Sequence, residues 1–479
     1  MNILFTAFEA DPFIKTGGLG DVAGSLPKAV KSANYNIRVI MPYLSEIHGV
    51  YKKKLQFVCS YEVPLGWRTQ YCGLFTVKQG GVQFYFLDNE YYFHREQVYG
   101  EFDDGERVAF FSKAVLETIL HLDGFFPDII HCNDWHTALI PVFLKEQYRE
   151  VPGFADIKTI FTIHNLKFQG KYSDFVIGDI LGLAGTPAEP QLLSDEHTAN
   201  YLQAASIYCD YLTTVSPTYA EEICDPYYGE GLDWLFNQRR DHLEGILNGI
   251  DYKVWNPATD KDLVANYDID TVFVKGRKEF TPKEMNKLAL QKELGLKEDA
   301  EIPLFVIISR LTEQKGLDLV NYLLPEIEYR NMQLAVLGVG DAEYENAFRY
   351  YADKNPQKFS ATIRFANTLS HRMYAGADVI LVPSRFEPCG LTQMIAMRYG
   401  TLPLVRETGG LKDTVNETNG FSFLTFNADD MLYAIDCALD VYFNHPKRWR
   451  TMQKTAMAED FSWKSSAKEY RKLYNKLAK

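Results

Sequence analysis

Short apolar runs recur along this chain, separated by longer stretches in which apolar residues return every three or four positions. Asn2 to Ala7 is the first run. From Asp21 to Lys31 the residues Val22, Leu26, Ala29 and Val30 fall at helical spacing, and Ile37 to Met41 is apolar again. A brief continuous run fits a buried strand and the wider spacing fits a helix. Strand, helix, strand is a parallel β-α-β unit, whose crossover is right-handed. Val82 to Leu87, Ile129 to Cys132, Thr159 to Ile163 and Tyr211 to Val215 extend the series through the first half. Leu304 to Ile308, Gln333 to Leu337, Thr362 to Phe365, Val379 to Val382 and Leu402 to Val405 repeat it in the second. Such alternation predicts an α/β fold of two doubly wound Rossmann-like domains, each with its own parallel sheet, facing a central cleft.

The expected boundaries are 1–245 for the first domain and 246–460 for the second. Residues 461–479 form an amphipathic terminal helix, expected to pack back on the first domain. The stretch from Asn256 to Glu301 is rich in charge, and Thr281 before Pro282, with Glu284 three residues on, predicts a helix start there. A chain of 479 residues is too long for one ordinary core. Its formal charge of −13 excludes nucleic acid and anionic membrane as partners, because both need a basic footprint. Seven scattered cysteines with no C-x-x-C pair read as reduced thiols of a cytoplasmic protein. The first ten residues lack the basic flank of a signal peptide, and no apolar stretch is long enough to span a bilayer.

Two turns carry candidate chemistry. Lys15-Thr16-Gly17-Gly18-Leu19-Gly20-Asp21 and Ser309-Arg310-Leu311-Thr312-Glu313-Gln314-Lys315-Gly316 each follow a strand-like run and precede a helix-like run. Open α/β sheets bind anions there, because a helix amino end presents bare N–H groups and partial positive charge. The first turn lacks the G-x-G-x-x-G pattern and no acidic residue ends the next strand, so NAD is disfavoured. Lys15, Arg310 and Lys315 together suit a diphosphate held without a metal, each charged hydrogen bond contributing roughly 1.5–3 kcal/mol. Metal binding is not expected. His131 and His136 are awkwardly spaced for one helical face, and Asp268-Ile269-Asp270 reads as a solvated loop. Asp134 is placed to cap the helix after it while Trp135 faces the cleft, and His164 ends another strand. Glu387, beside the Pro388-Cys389-Gly390 turn, either caps a helix or hydrogen-bonds a neutral part of the ligand such as sugar hydroxyls.

Lys15 to Val22, His131 to His136, Thr162 to Leu166, Leu247 to Asp251, Ser309 to Gly316, Ser384 to Thr392 and Thr408 to Leu411 are seven motifs in a fixed order. Together they resemble the retaining bacterial glycogen synthases and plant starch synthases of glycosyltransferase-B architecture. The resemblance implies transfer of glucose from ADP-glucose to the non-reducing end of an α-1,4-glucan such as glycogen, with no metal and no pyridoxal phosphate. It implies a catalytic group of Glu387, His164, Asp134 and Lys15. It places Lys15, Arg310, Lys315 and the Gly18 amide on the diphosphate, Asp21 and Asn248 along the donor pocket, and Cys389, Gly390, Leu391 and Thr392 as further donor contacts. Trp135 lies near the reacting sugar in that scheme. Tyr99 reaches the donor from a segment, Tyr91 to Gly100, that is shorter than the family form. A closing sugar-binding protein without catalysis is the rival from another class.

Overall fold

Ile3, Leu4 and Phe5 are fully buried in the first strand, as a run apolar on both faces must be when helices cover both sides of a sheet. The computed structural model describes residues 1–274 and 280–478. The chain divides into two units, one of Met1–Gly249 with Trp463–Lys479 and one of Ile250–Ser462. The sequence placed those divisions at 246 and 461.

In chain order the first unit has β1 (Asn2–Thr6), β2 (Asn36–Pro42), β3 (Gln56–Leu65), β4 (Arg68–Gln79), β5 (Val82–Asp88), β6 (Ile129–Asn133) and β7 (Lys158–Ile163). It continues with β8 (Lys171–Ser173), β9 (Leu193–Asp195), β10 (Thr198–Asn200), β11 (Tyr211–Thr214) and β12 (Leu243–Gly245). Nine of these form one sheet in the order β12-β11-β7-β6-β1-β2-β5-β4-β3, and β8, β10 and β9 form a small antiparallel sheet. From β1 the chain winds outward through β2, then returns to β6 on the other side of β1. The order therefore reverses between β1 and β6, and open sheets bind ligands at such a switch point.

The second unit has β13 (Leu304–Ile308), β14 (Gln333–Leu337), β15 (Phe359–Thr362), β16 (Val379–Val382), β17 (Leu402–Arg406) and β18 (Phe421–Phe423), ordered β15-β14-β13-β16-β17-β18. All its pairings are parallel. Its order reverses between β13 and β16, which carry the Ser309 and Ser384 motifs at their carboxyl ends. The strand expected at Thr362 to Phe365 lies three residues earlier. Phe359 is the aromatic that is buried and pairs with Leu334, whereas Phe365 is exposed.

Local signals set the helix ends. Thr281 and Glu284 form a reciprocal capping box at the head of Pro282–Leu294, and Gly295 closes that helix at φ 71°. The terminal helix, Trp463–Leu477, belongs to the first unit and buries Trp463, Ala467, Tyr470, Leu473 and Tyr474. Arg471 donates to the carbonyls of Ala29 at 2.7 Å and Val30 at 2.9 Å, putting a cation on the carboxyl end of the helix Gly18–Val30. Among the described residues no helix is long and apolar enough to cross a membrane. All seven cysteines are free.

Candidate functional site

The turn after β1 is organised by a residue that motif reading passes over. Glu9 is 2% exposed; its carboxylate accepts the Thr16 amide at 2.6 Å, the Thr16 hydroxyl at 2.7 Å and the Gly20 amide at 3.1 Å. Burial raises its pKa against those bonds. The only signal in the sequence is a charge set between Phe8 and Ala10 in an otherwise apolar stretch. Glu9 thus pins the turn and the head of the helix Gly18–Val30, which no side chain of Gly17 caps. Gly17 and Gly18 are exposed, and an added Cβ at either would meet nothing within 4 Å, so this part of the turn is an open rim. Lys15 Nζ reaches Asp21 Oδ1 at 2.6 Å, so the cation is held by the acid at the other end of the motif.

At the ends of β6 and β7 a second group forms. Asp134 does not cap the helix after it, as the sequence suggested: no side-chain bond runs that way. Its Oδ1 accepts the His164 amide at 2.7 Å, and its own amide donates to Thr162 O at 2.9 Å. These cross-strand bonds hold Asp134 at φ 57° and ψ 174°, a region that glycine alone adopts readily. Burial pushes its carboxyl up to about 7, opposed by the amides of His164 and Asn165. His164 Nε2 lies 2.9 Å from Asn133 Oδ1, and burial pulls its imidazole down to about 3, so the ring is neutral at physiological pH. Trp135 packs on His136 with ring centroids 4.1 Å apart, and Tyr99 packs on Phe8 and His136 at 5.8 and 4.5 Å. Tyr99 is thus in the wall beside Thr16. His131 is wholly interior, between Thr162 Oγ1 at 2.7 Å and Tyr474 at 2.8 Å.

In the second unit the two motifs at the switch point meet. Lys315 Nζ donates to Glu387 Oε2 at 2.6 Å, and Ser384 Oγ donates to the same oxygen at 2.9 Å. Glu387 does not cap the helix Thr392–Arg398, whose first flanking residue is Leu391 and which has no side-chain cap. Gly316 ends the first motif at φ 72°, and a Cβ there would lie 2.0 Å from Pro383 O. Only glycine lets the two motifs approach this closely. The second motif rests on Gly409 and Gly410, where a Cβ would lie 2.0 Å from Glu387 O and 2.1 Å from Cys389 O. Gln393 Nε2 ties Cys389 O at 3.2 Å and Gly390 O at 2.8 Å, shaping the turn that leads through Leu391 to Thr392. Arg310 is exposed, and among the described residues no acceptor takes its guanidinium. The Thr312 hydroxyl beside it is buried without a partner among the described residues.

Asn248, in the first unit, is 6% exposed, and its buried Oδ1 has no partner among the described residues. Asp268 is occupied by its own turn, its Oδ1 accepting the Asp270 amide, the Thr271 amide and the Thr271 hydroxyl at 2.8–3.0 Å. Among the described residues one trio with metal-ligating atoms occurs, Asp260, Asp262 and His371, whose spacing along the chain carries no motif. Both Asp260 oxygens are taken there: Oδ1 by the Asp262 amide at 3.0 Å, Oδ2 by His371 Nδ1 at 2.7 Å and the Tyr399 hydroxyl at 2.5 Å.

Two doubly wound units, each with a phosphate-suited turn at the switch point of its sheet and a carboxylate tied to a lysine in the second, define a glycosyltransferase of the GT-B class. Residues 2–238 match the family model described as starch synthase catalytic domain, and residues 287–455 match glycosyl transferases group 1. The glycogen synthase of Clostridium acetobutylicum is 49% identical over 99% of both chains. That of Geobacillus stearothermophilus is 47% identical over 100% of this chain and 98% of its own. The catalytic domain of starch synthase IV from Arabidopsis thaliana, solved with ADP and acarbose, superposes with a TM-score of 0.88 at 33% identity over 99% of both chains. Sucrose-phosphate synthase from Thermosynechococcus elongatus shares the fold, with a TM-score of 0.62 at 16% identity over 99% of this chain and 98% of its own. This chain belongs to the glycogen and starch synthase family.

Proposed function

We propose that this enzyme transfers glucose from ADP-glucose to the non-reducing end of an α-1,4-glucan with retention of anomeric configuration, in the cytoplasm. The contact of Lys315 with Glu387, 2.6 Å at the reversal point of the second sheet, carries the reading. It sets a cation for the leaving diphosphate beside a carboxylate for the sugar hydroxyls. Arg310, whose guanidinium has no acceptor among the described residues, supplies a second positive charge. Cys389, Gly390, Leu391 and Thr392 bring a tight turn and helix head to the same anion.

The first unit supplies Lys15 and the Gly18 amide to the diphosphate, Asp21 and Asn248 to the donor pocket, and Asp134, Trp135, His164 and Tyr99 to the reacting sugar. The unpartnered Asn248 Oδ1 is a hydrogen-bond acceptor waiting for a hydroxyl or amine of substrate. As the glycosidic bond to phosphate lengthens, charge builds on the leaving oxygen and the sugar becomes oxocarbenium-like. The cations stabilise the first. The acceptor hydroxyl then attacks the face that the diphosphate leaves, and the leaving phosphate takes its proton. Neutral His164 donates or accepts hydrogen bonds without adding charge.

The mechanism uses neither metal nor pyridoxal phosphate, so turnover should be unchanged in excess chelator. A competition between ADP-glucose and UDP-glucose with a malto-oligosaccharide primer tests the donor. Incorporation from ADP-glucose in large excess, with an α-linked product by NMR, is expected. Equal use of both donors removes the ADP-glucose assignment, and a β-linked product removes retention.

A further inference from the structure

The glycine turn sits at the carboxyl ends of the first unit's strands; at their amino ends lies a separate cavity of about 360 Å³. The registers Arg38↔Gln83, Gln83↔Lys78 and Tyr85↔Thr76 put one face of β2, β5 and β4 into a row of polar side chains. β2 lies inside the sheet, where both faces are ordinarily apolar, so a guanidinium there calls for a reason. Lys31, just past the helix Gly18–Val30, joins Arg38 and Lys78 around the cavity, and Asp123 is the one acid in its lining.

None of the three cations has a carboxylate within ion-pair distance among the described residues. Lys31 donates to Gly81 O, and Arg38 donates to the Tyr85 hydroxyl with its guanidinium 4.2 Å from the centre of the Phe125 ring. Lys78 is exposed. Burial, Lys78 and Arg38 all lower the pKa of Lys31, so the three charges feel one another. A cluster of unpaired like charges in a chain of net charge −13 is unfavourable unless an anion visits it. A guanidinium fork with two ammonium groups matches a phosphate dianion in charge and geometry. His121 lines the same cavity, stacked on Tyr61 at 4.3 Å and 13°, and gives it a flat aromatic wall. The volume is within the range of small-molecule sites, on the order of 300–1,000 Å³.

We propose that this cavity is a second ligand site, binding a phosphate dianion, free or borne by a small phosphate ester, through Arg38, Lys31 and Lys78. Calorimetric titration of the full chain with glucose 6-phosphate, and separately with inorganic phosphate, tests it, each with ADP at saturation to occupy the transfer site. One ADP-insensitive site is expected. Its affinity should fall about tenfold or more in Arg38→Gln and several-fold in Lys78→Gln, and should weaken with added salt. Lys78 is exposed, so its variant reads the charge without disturbing the sheet. Tighter binding of glucose 6-phosphate than of inorganic phosphate assigns the sugar ester, and equal binding assigns free phosphate as the ligand. No ADP-insensitive binding, or binding that both variants leave unchanged, overturns the proposal.

Discussion

Lys315 and Glu387 are 72 residues apart, and neither side chain is fully exposed, so each is the other's main compensation for leaving water. Lys315→Ala should therefore lower both turnover and the thermal midpoint, while Glu387→Ala on that background should recover part of the midpoint and none of the turnover. A double-mutant cycle read by calorimetry and by initial rates checks this; additive stability losses would mean the pair is not coupled. Glu387→Gln alone should cost roughly 10²-fold or more in kcat with KM little changed, if its role lies in the transition state. At Asp134 stability and turnover separate. Asp134→Gly relieves a strained backbone, at a gain of about 1 kcal/mol, but leaves the His164 amide without its acceptor, a loss of similar size, so the variant should be about as stable as the parent and inactive. Its pH behaviour follows from a pKa raised from 3.8 to about 7. The folded chain keeps a proton that the unfolded chain loses, so the stabilisation is complete below pH 4 and is lost as pH rises through 7. His164 runs the other way, its contribution complete above 6.5 and lost as pH falls towards 3. Urea midpoints of Asp134→Asn should lack the decline between pH 4 and 7. The residue types at this site were legible from their motifs, but their partners were not. Short-range pattern holds no record of which carboxylate a lysine 72 positions away will meet, and Glu9 has no motif at all.

Among the elements, the parallel strands at both switch points were readable because continuous burial gives continuous apolar runs. The β3–β4 hairpin was not. β3 is the edge strand and β4 its neighbour, and Phe57, Val58 and Tyr71 are exposed, so neither an apolar run nor clean alternation marks them. The glycines of Thr408 to Leu411 entered only as part of a resemblance, and the structure gives their reason. They form the floor on which the Glu387 turn rests, with no room for a methyl group. Gly410→Ala should push Cys389 and Gly390 outward, lowering kcat/KM for the donor at least about tenfold while circular dichroism stays unchanged. Normal donor kinetics in a folded Gly410→Ala would show that the turn can shift without harm.

At the scale of the whole molecule, two units with separate sheets should unfold in two calorimetric transitions. Ending the chain after Ser462 removes Trp463, Tyr470, Leu473 and Tyr474 from the first unit, each large side chain worth roughly 1.5–3 kcal/mol of burial. The transition of the first unit should then fall sharply while that of Ile250–Ser462 stays in place. A matching fall in both would show that the units do not unfold separately. The amphipathic pattern of this helix was visible in the sequence. Its hydrogen bonds to Ala29, Val30 and His131 were not, since they join positions more than three hundred residues apart.

That terminal helix bears on how the chain is made. A ribosome delivers β1 to β12 first, yet Tyr474, which closes over His131, leaves the tunnel only after all of the second unit has been built. Domains generally fold in order of emergence. Here the first-born half must wait, its apolar face uncovered, until the later half is already out, and the interval between them is when a chaperone has most to protect.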